Sequence, residues 1–251
     1  MKLFAISDIH LSSPENRAAL TRIPEHPNDW LILAGDIGET PEHLVFALET
    51  LSVRFKKLIW VPGNHDLWTT DTDGDHLTGE DKYWRLVELC NHYGVLTPED
   101  PYPVEYFGGK KVRLVPLFLL YDYSFRPKHV TLDNAIEWAN ESGVMCADES
   151  FLRTNPYNNI IDWCAARCES TEHRLLSLND GLPTVLINHF PLRYDLIWIP
   201  RIPRFTIWCG TRQTEDWHLR WNATAVVYGH LHVPSTQIRD SVRFDEVSLG
   251  Y

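Results

Sequence analysis

The chain has 251 residues, of which 44% are hydrophobic and 23% charged, as in an ordinary globular protein. Its formal net charge of −11 argues against a nucleic-acid surface, because binding a phosphate backbone needs a basic footprint. The sequence contains no apolar stretch of the ~18 residues that a membrane span needs, so we expect no membrane segment. Five cysteines without paired spacing favour reduced thiols and a cytoplasmic location.

The first quarter of the chain alternates strand and helix patterns. Short apolar runs bounded by Gly or Pro predict buried strands at residues 3–7, 30–34 and 58–61. Thr40 as N-cap and Pro41 at the first helical position predict a helix between the second and third strands. This order is typical of an α/β scaffold.

The rest of the chain is less regular between residues 67 and 183. Further elements are predicted in chain order: a helix at 83–93, a strand at 112–120, a helix around 160–178, strands at 184–188 and 225–228, and a hairpin of 236–239 with 242–248. No shift in composition marks a domain boundary. We therefore predict one domain over residues 1–251, with a helical or irregular insertion at about 67–183.

Metal-binding side chains follow the apolar runs in five short strings. The strings are Asp8-Ile9-His10, Gly35-Asp36, Gly63-Asn64-His65-Asp66, Asn188-His189 and Gly229-His230-Leu231-His232. Strand ends that feed loops are where an α/β scaffold builds its sites, so we expect these side chains to meet. The candidate metal ligands are Asp8, His10, Asp36, Asn64, His189, His230 and His232. Four imidazoles, two carboxylates and one amide oxygen suit two adjacent metal ions better than one, because a structural zinc site needs only four ligands.

The order D-x-H, G-D, G-N-H-[DE], H and G-H-x-H resembles the calcineurin-like metallophosphoesterase superfamily. The resemblance implies an α/β fold with a four-layer α/β/β/α sandwich, in which helices flank two mixed sheets. It also implies a division of the ligands, with Asp8, His10, Asp36 and His232 on one metal ion and Asp36, Asn64, His189 and His230 on the other. The implied ions are Mn and/or Fe by preference, while Zn is also compatible with imidazole and carboxylate ligands.

The same resemblance implies a metal-dependent phosphoric ester hydrolase. A hydroxide that bridges the metal ions would attack phosphorus, and His65 would protonate the leaving oxygen as general acid. Asp66 would hold the His65 ring through its second nitrogen, although capping a helix is an alternative role for this carboxylate. A non-catalytic scaffold is the least favoured alternative, because such a protein would have lost ligands or His65.

Longer strings resemble one branch of the superfamily, the actinobacterial phosphopantetheinyl hydrolases. These strings are IWVPGNHDLWT at 59–69, FLLYDYSF at 118–125, LINHFPL at 186–192, WCGT at 208–211 and FDEVSLGY at 244–251. The resemblance implies that the preferred substrate is the phosphodiester joining 4'-phosphopantetheine to a serine of an acyl carrier protein. Nucleotides or another small phosphate ester remain the alternative.

Three other features have two interpretations each. Several aromatic residues near the strings either pack in the core or form an apolar wall for an organic substituent of the substrate: Trp68, Tyr121, Tyr123, Phe190, Trp198 and Trp208. Arg193 is either a phosphate clamp or a surface charge. Cys164 and Cys168 fit one helix face better than a zinc site, because no second cysteine pair accompanies them.

Overall fold

The computed structural model describes residues 1–70, 76–178 and 180–249, and it places the strands in two β-sheets. The strands are β1 (Leu3–Ile6), β2 (His26–Leu33), β3 (Phe55–Trp60), β4 (Val104–Phe107), β5 (Lys110–Pro116), β6 (Thr184–Ile187), β7 (Ala223–Tyr228), β8 (Ser235–Arg239) and β9 (Val242–Glu246). The α-helices are α1 (Pro14–Leu20), α2 (Pro41–Ser52), α3 (Gly79–His92), α4 (Ala135–Asn140), α5 (Asp148–Phe151), α6 (Ile160–Leu176) and α7 (Trp217–Arg220). Short 3₁₀ helices span His65–Leu67, Tyr194–Leu196, Pro203–Trp208 and Arg212–Thr214.

The smaller sheet is parallel and has the order β1-β2-β3. Ile6 pairs with Leu33, and Leu33 pairs with Trp60, so the three strands end at the same edge. Asp8, Asp36 and Asn64 follow these ends within two to four residues. Parallel pairing therefore brings the first three strings to one edge of the sheet.

The larger sheet has the order β4-β5-β6-β7-β9-β8. Its four central strands are parallel, whereas β4 and β8 pair antiparallel at the two edges. Ile187 pairs with Val227, which places the ends of β6 and β7 side by side. His189 and His230 each lie two residues beyond those ends, so the last two strings also share an edge.

The two sheets pack face to face, with helices outside. Buried apolar side chains from both sheets form the layer between them: Trp30, Ile32, Ala34, Ile59 and Val61 from the smaller sheet, and Val112, Leu114, Val185, Ile187 and Val227 from the larger. On the outer faces, α2 packs against β3 and α7 against β7. At the functional edge the sheets join, because the Ser7 N–H donates to Val247 O at 3.0 Å and the Leu249 N–H donates to Ser7 O at 2.9 Å.

The predicted sandwich of two sheets flanked by helices is confirmed. The smaller sheet is parallel rather than mixed. Its strands are joined by α1 and α2, and each of these connections returns the chain to the end of the sheet where the previous strand began. The predicted strand at 112–120 is too long, since β5 ends at Pro116 and residues 117–120 continue as a buried loop. Burial without sheet pairing gives the same apolar run as a central strand.

The region predicted as an insertion contains secondary structure that belongs to the scaffold. Strands β4 and β5 lie within residues 67–183, yet both pair into the larger sheet. Residues 71–75 and 179 of that region, and Gly250 and Tyr251 at the chain end, lie outside the described residues. No helix among the described residues is long and apolar enough to cross a membrane.

Candidate metal centre

All seven predicted ligands lie at the joined edge of the two sheets. Potential metal-binding atoms there form three groups, and within each group they lie within 4.8 Å of one another. The groups are Asp8, His10 and His232; His10, Asp36 and His65; and Asp36, His189 and His230. Because His10 and Asp36 each belong to two groups, the three groups are one continuous centre.

The first half of the centre is built around Asp8. Its Oδ1 lies 3.0 Å from His232 Nε2, which in turn lies 3.3 Å from His10 Nε2. Its Oδ2 accepts hydrogen bonds from the Ser7 and Ser248 hydroxyls at 2.6 and 2.9 Å. The serines therefore hold one oxygen and leave the other facing the two imidazoles.

The second half is built around the Asn64 amide oxygen. Asn64 Oδ1 lies 3.2 Å from both His189 Nε2 and His230 Nδ1. His189 Nδ1 lies 2.9 Å from the Ala34 carbonyl oxygen, which can only accept, so Nδ1 is the nitrogen that donates. In the neutral ring, Nε2 then presents a lone pair to Asn64 and to Asp36 Oδ2, which lies 3.4 Å away.

Lone pairs that converge in this way fit a cation. Burial lowers the pKa of His189, but the charge and hydrogen bond of Asp36, together with Asp8 and the Ala34 carbonyl, outweigh burial and raise the pKa to about 10. The same negative field attracts a metal ion, which competes with that proton. Burial lowers the pKa of His230 to about 3, which keeps this imidazole neutral, as a ligand must be. His230 Nε2 is buried and has no hydrogen-bond partner among the described residues.

The backbone is strained where the ligands leave the sheets. Five candidate ligands have left-handed φ angles between 45° and 72°: Asp8, His10, Asp36, His230 and His232. This conformation costs an L-residue about 1–2 kcal/mol, so it persists only where the surrounding structure imposes it. Gly63 shows how tight the packing is, because a Cβ there would lie 2.1 Å from Asp36 Oδ1.

His65 lies beside the centre, at the wall of the cleft. Its Nε2 is 4.0 Å from Asp36 Oδ2, and its Nδ1 is 3.5 Å from Glu39 Oε1. Burial lowers the pKa of His65, but Asp36 and Glu39 raise it by more, so its net shift is upward. Glu39 Oε2 also lies 3.4 Å from His43 Nδ1. The imidazoles of His43 and His65 lower the pKa of the Glu39 carboxyl and outweigh burial, which raises it.

The prediction that Asp66 holds the His65 ring is wrong. The Asp66 carboxylate is buried, and its oxygens accept four backbone N–H groups: those of Asp36, Ile37, Gly38 and Gly63. Burial and the charge of Asp36 raise its pKa to about 7. Asp66 therefore ties the second and third strings together, and Glu39 is the carboxylate that faces His65. Sequence reasoning missed Glu39, whose only signal was its position three residues after Asp36.

A cleft of about 740 Å³ opens beside the centre. Its lining combines polar side chains, including His10, Asp36 and Asn64, with apolar ones. The apolar residues are Trp68, Met145, Ile199, Ile202, Phe205 and Leu231. A volume of this size, with a lining of apolar and polar side chains, is typical of a small-molecule site.

The other candidates from the sequence lie in the cleft wall, in the hydrophobic core or near the surface. Trp68 lines the cleft and stacks on the His65 ring with centroids 3.6 Å apart. Buried core positions are occupied by Tyr121, Tyr123, Phe190 and Trp208, whereas Trp198 is exposed. Arg193 pairs with Asp195 and Asp240, which favours the surface-charge interpretation. Cys164 and Cys168 are buried free thiols on α6, consistent with one helix face.

The fold and the centre together define a metal-dependent phosphoesterase. The sequence model of the calcineurin-like phosphoesterases matches residues 1–234, and the chain belongs to that family. Members of the family use divalent metal ions, and the clusters described above offer a place for them.

Two comparisons place the chain within the family. It is 45% identical over 251 residues to the [acyl-carrier-protein] phosphodiesterase PptH of Mycobacterium tuberculosis, covering 99% of this chain and 78% of that protein. The crystal structure of phosphopantetheinyl hydrolase PptH from the same organism matches with a TM-score of 0.95 and 44% identity, covering 100% of this chain and 89% of that one. The predicted family, fold and enzyme class are confirmed.

Proposed function

We propose that this enzyme hydrolyses the phosphodiester that joins 4'-phosphopantetheine to a serine of an acyl carrier protein. The observation that carries the proposal is the near full-length similarity to PptH, at 45% identity and a TM-score of 0.95. Similarity at this level extends through the region that supplies part of the cleft wall, not only through the five strings. The cleft supports the same substrate class, because its lining combines apolar side chains with the candidate metal ligands.

The seven ligands divide into two sets that share Asp36. One set is Asp8, His10, Asp36 and His232, and the other is Asp36, Asn64, His189 and His230. We infer Mn²⁺ and/or iron as the ions, with Zn²⁺ also accepted by these ligand types. When bound, such ions supply positive charge for the phosphoryl oxygens and an activated water.

His65 serves as the general acid in this proposal. Its ring lies in the cleft wall within 4.0 Å of Asp36, where a leaving seryl oxygen can reach it. Glu39 faces His65 Nδ1 and stabilises the protonated His65 ring. This contact directs the other ring nitrogen, Nε2, towards the cleft. Trp68 covers one face of the ring and limits its rotation.

The apolar wall gives the organic arm of the substrate a place to lie. Met145, Ile199, Ile202 and Phe205 line the same cleft as the candidate ligands, and Ile202 is 43% exposed. A long arm that is partly apolar covers this surface on binding, which removes apolar area from water. A small phosphate ester gains nothing from it.

Intact-mass spectrometry tests the reaction directly. Holo acyl carrier protein incubated with the enzyme and Mn²⁺ should convert to the apo mass, with free phosphopantetheine released. The matched control is the His65→Ala variant, which should leave the holo mass unchanged over the same time. An unchanged holo mass from wild-type enzyme that still cleaves an aryl phosphodiester would contradict the carrier-protein substrate and leave the phosphoesterase chemistry standing.

We also infer a cytoplasmic location. All five cysteines are buried free thiols, a state that a reducing compartment preserves. Fractionation of the source cells tests this, and recovery in an extracytoplasmic fraction would contradict it.

A further inference from the structure

A buried carboxylate from helix α5 reaches the back of the metal centre. Asp148 is the first residue of that helix and is 2% exposed. Its Oδ1 accepts a hydrogen bond from Asn64 Nδ2 at 2.8 Å and another from Trp68 Nε1 at 2.6 Å. These two partners are the amide that offers an oxygen to the metal centre and the indole that covers His65.

The contact with Asn64 decides which end of the amide faces the centre. An amide has one oxygen and one NH₂ group on opposite sides, and a carboxylate can only accept from the NH₂. Asn64 Oδ1 therefore points to the other side, where His189 and His230 each approach it at 3.2 Å. Flipping the amide would turn its oxygen towards the Asp148 carboxylate and turn its NH₂ group towards the ligands.

The contact with Trp68 fixes the position of the indole ring. The indole N–H and the Asn64 NH₂ share one carboxylate oxygen, so their positions depend on each other. The indole ring lies flat on the His65 ring, with 3.6 Å between centroids and 29° between planes. Asp148 is thus linked to a candidate ligand and to the general acid without lying in any of the three metal-binding groups formed by the described residues.

We propose that Asp148 is a positioning residue of this enzyme, which holds the Asn64 oxygen towards the metal centre and the Trp68 indole against His65. The inference rests on the proposed function, because it assigns Asn64 as a ligand. A single carboxylate oxygen from α5 thus sets the orientation of one side chain in the third string, Asn64, and of one just after it, Trp68.

The neighbouring residue provides a matched control. Glu149 lies on the same short helix, and its Oε1 accepts from Trp208 Nε1 at 2.6 Å and from Tyr123 OH at 2.8 Å. A Glu149→Ala variant therefore also removes a carboxylate that binds an indole N–H, but it leaves Asn64 and Trp68 untouched. Any effect common to Glu149→Ala and Asp148→Ala comes from the packing of the helix and not from the amide.

The first measurement is made on metal-free protein. In ¹⁵N-resolved NMR spectra, the chemical shifts of the Asn64 side-chain NH₂ group should lie outside the range of amides without a hydrogen bond in wild type and in Glu149→Ala. In Asp148→Ala they should move into that range. Asp148→Leu, which fills the same buried space without an acceptor, should repeat the result if the alanine variant folds poorly. Asn64 signals that are unchanged in the variants lacking the carboxylate would overturn the proposal.

The second measurement is Mn²⁺ binding by calorimetric titration. Asp148→Ala should lose about 10–100-fold in affinity at one of the two sites, the effect typical of removing a group that orients a ligand. Asp148→Asn, which keeps an acceptor oxygen, should restore most of that affinity, and Glu149→Ala should bind as wild type does. Equal losses in Asp148→Ala and Glu149→Ala would overturn the proposal. A wild-type protein that binds none of Mn²⁺, Fe²⁺ and Zn²⁺ would instead refute the proposed function, while the NMR comparison would still decide the role of Asp148.

Discussion

Adding one methyl group at Gly63 should disable the metal centre. A Cβ at this position would lie 2.1 Å from Asp36 Oδ1 and 2.5 Å from Asp36 N, whereas ordinary contact begins at 3.4 Å. The Asp36 carboxylate must therefore move by about 1.3 Å, the difference between 3.4 and 2.1 Å. Metal–ligand distances tolerate about 0.2 Å. We expect Gly63→Ala to lose at least about 100-fold in Mn²⁺ affinity, the upper end for disturbing a group that only orients a ligand.

Calorimetric titration with Mn²⁺ and metal analysis after gel filtration measure the effect. The control is Gly143→Ala, where φ is +74° and a Cβ would meet nothing within 4 Å. That variant should lose about 1–2 kcal/mol of stability from left-handed strain and keep wild-type metal content. A Gly63→Ala protein that binds two Mn²⁺ ions with wild-type affinity would refute the reasoning, because Asp36 would then not be a shared ligand.

Three further predictions address separate parts of the molecule. His65→Ala should lower kcat by about 10²–10⁴-fold on an unactivated phosphodiester with metal content unchanged, and Glu39→Gln should lower kcat by less. A His65→Ala variant with the kcat of wild type would contradict the general-acid role. Ile202→Ser should raise KM for holo acyl carrier protein but not for bis(p-nitrophenyl) phosphate, and a parallel rise for both would contradict the arm-binding wall. Arg167→Met should lower the free energy of unfolding by about 2 kcal/mol, because Glu99 loses the guanidinium 2.6 Å away and keeps the Tyr83 hydroxyl as a donor. Burial raises the pKa of Glu99, but Arg167, the Tyr83 hydroxyl and Arg174 together lower it by more. Wild-type stability from this carboxylate is therefore present above pH ~4.3 and is lost as the pH falls, and an Arg167→Met variant with an unchanged acid transition would contradict this.

The sequence predicts that the candidate ligands converge, because strand order determines where they meet. Asp8, Asp36 and Asn64 follow three parallel strands, and parallel strands end at a common edge. Short apolar runs locate those strands, even though the end of β5 is misplaced by the buried loop that follows it. A pattern of strand ends is therefore enough to predict that these side chains converge.

Residues that orient the ligands could not be predicted in the same way. Asp66 follows His65 directly, but the two lie in a single 3₁₀ turn, in which successive side chains diverge by about 120°. One consequently faces the backbone amides and the other faces the cleft. Asp148 lies 84 residues from Asn64, and only the packing of α5 against the centre brings them together. Such contacts depend on tertiary packing, which leaves no periodic signal in the sequence.

The strain at the candidate ligands predicts that bound metal ions stabilise the fold. Five ligands are held at positive φ, and two halves of the centre present converging lone pairs and carboxylates. Both features raise the free energy of the folded chain. A bound cation offsets the repulsion between the converging lone pairs and carboxylates. Metal binding should therefore stabilise the folded state strongly.

Removal of the metal ions tests this. At a free Mn²⁺ concentration of 100 times Kd, each site adds about 2.7 kcal/mol, so two sites add about 5 kcal/mol. For a chain of this size that corresponds to a rise in Tm of about 10–20 °C over chelator-treated protein, measured by calorimetry. Asp36→Ala, which lacks the shared carboxylate, should show little of this rise. If Mn²⁺ raises the Tm of Asp36→Ala as much as that of wild type, the stabilising ions bind elsewhere.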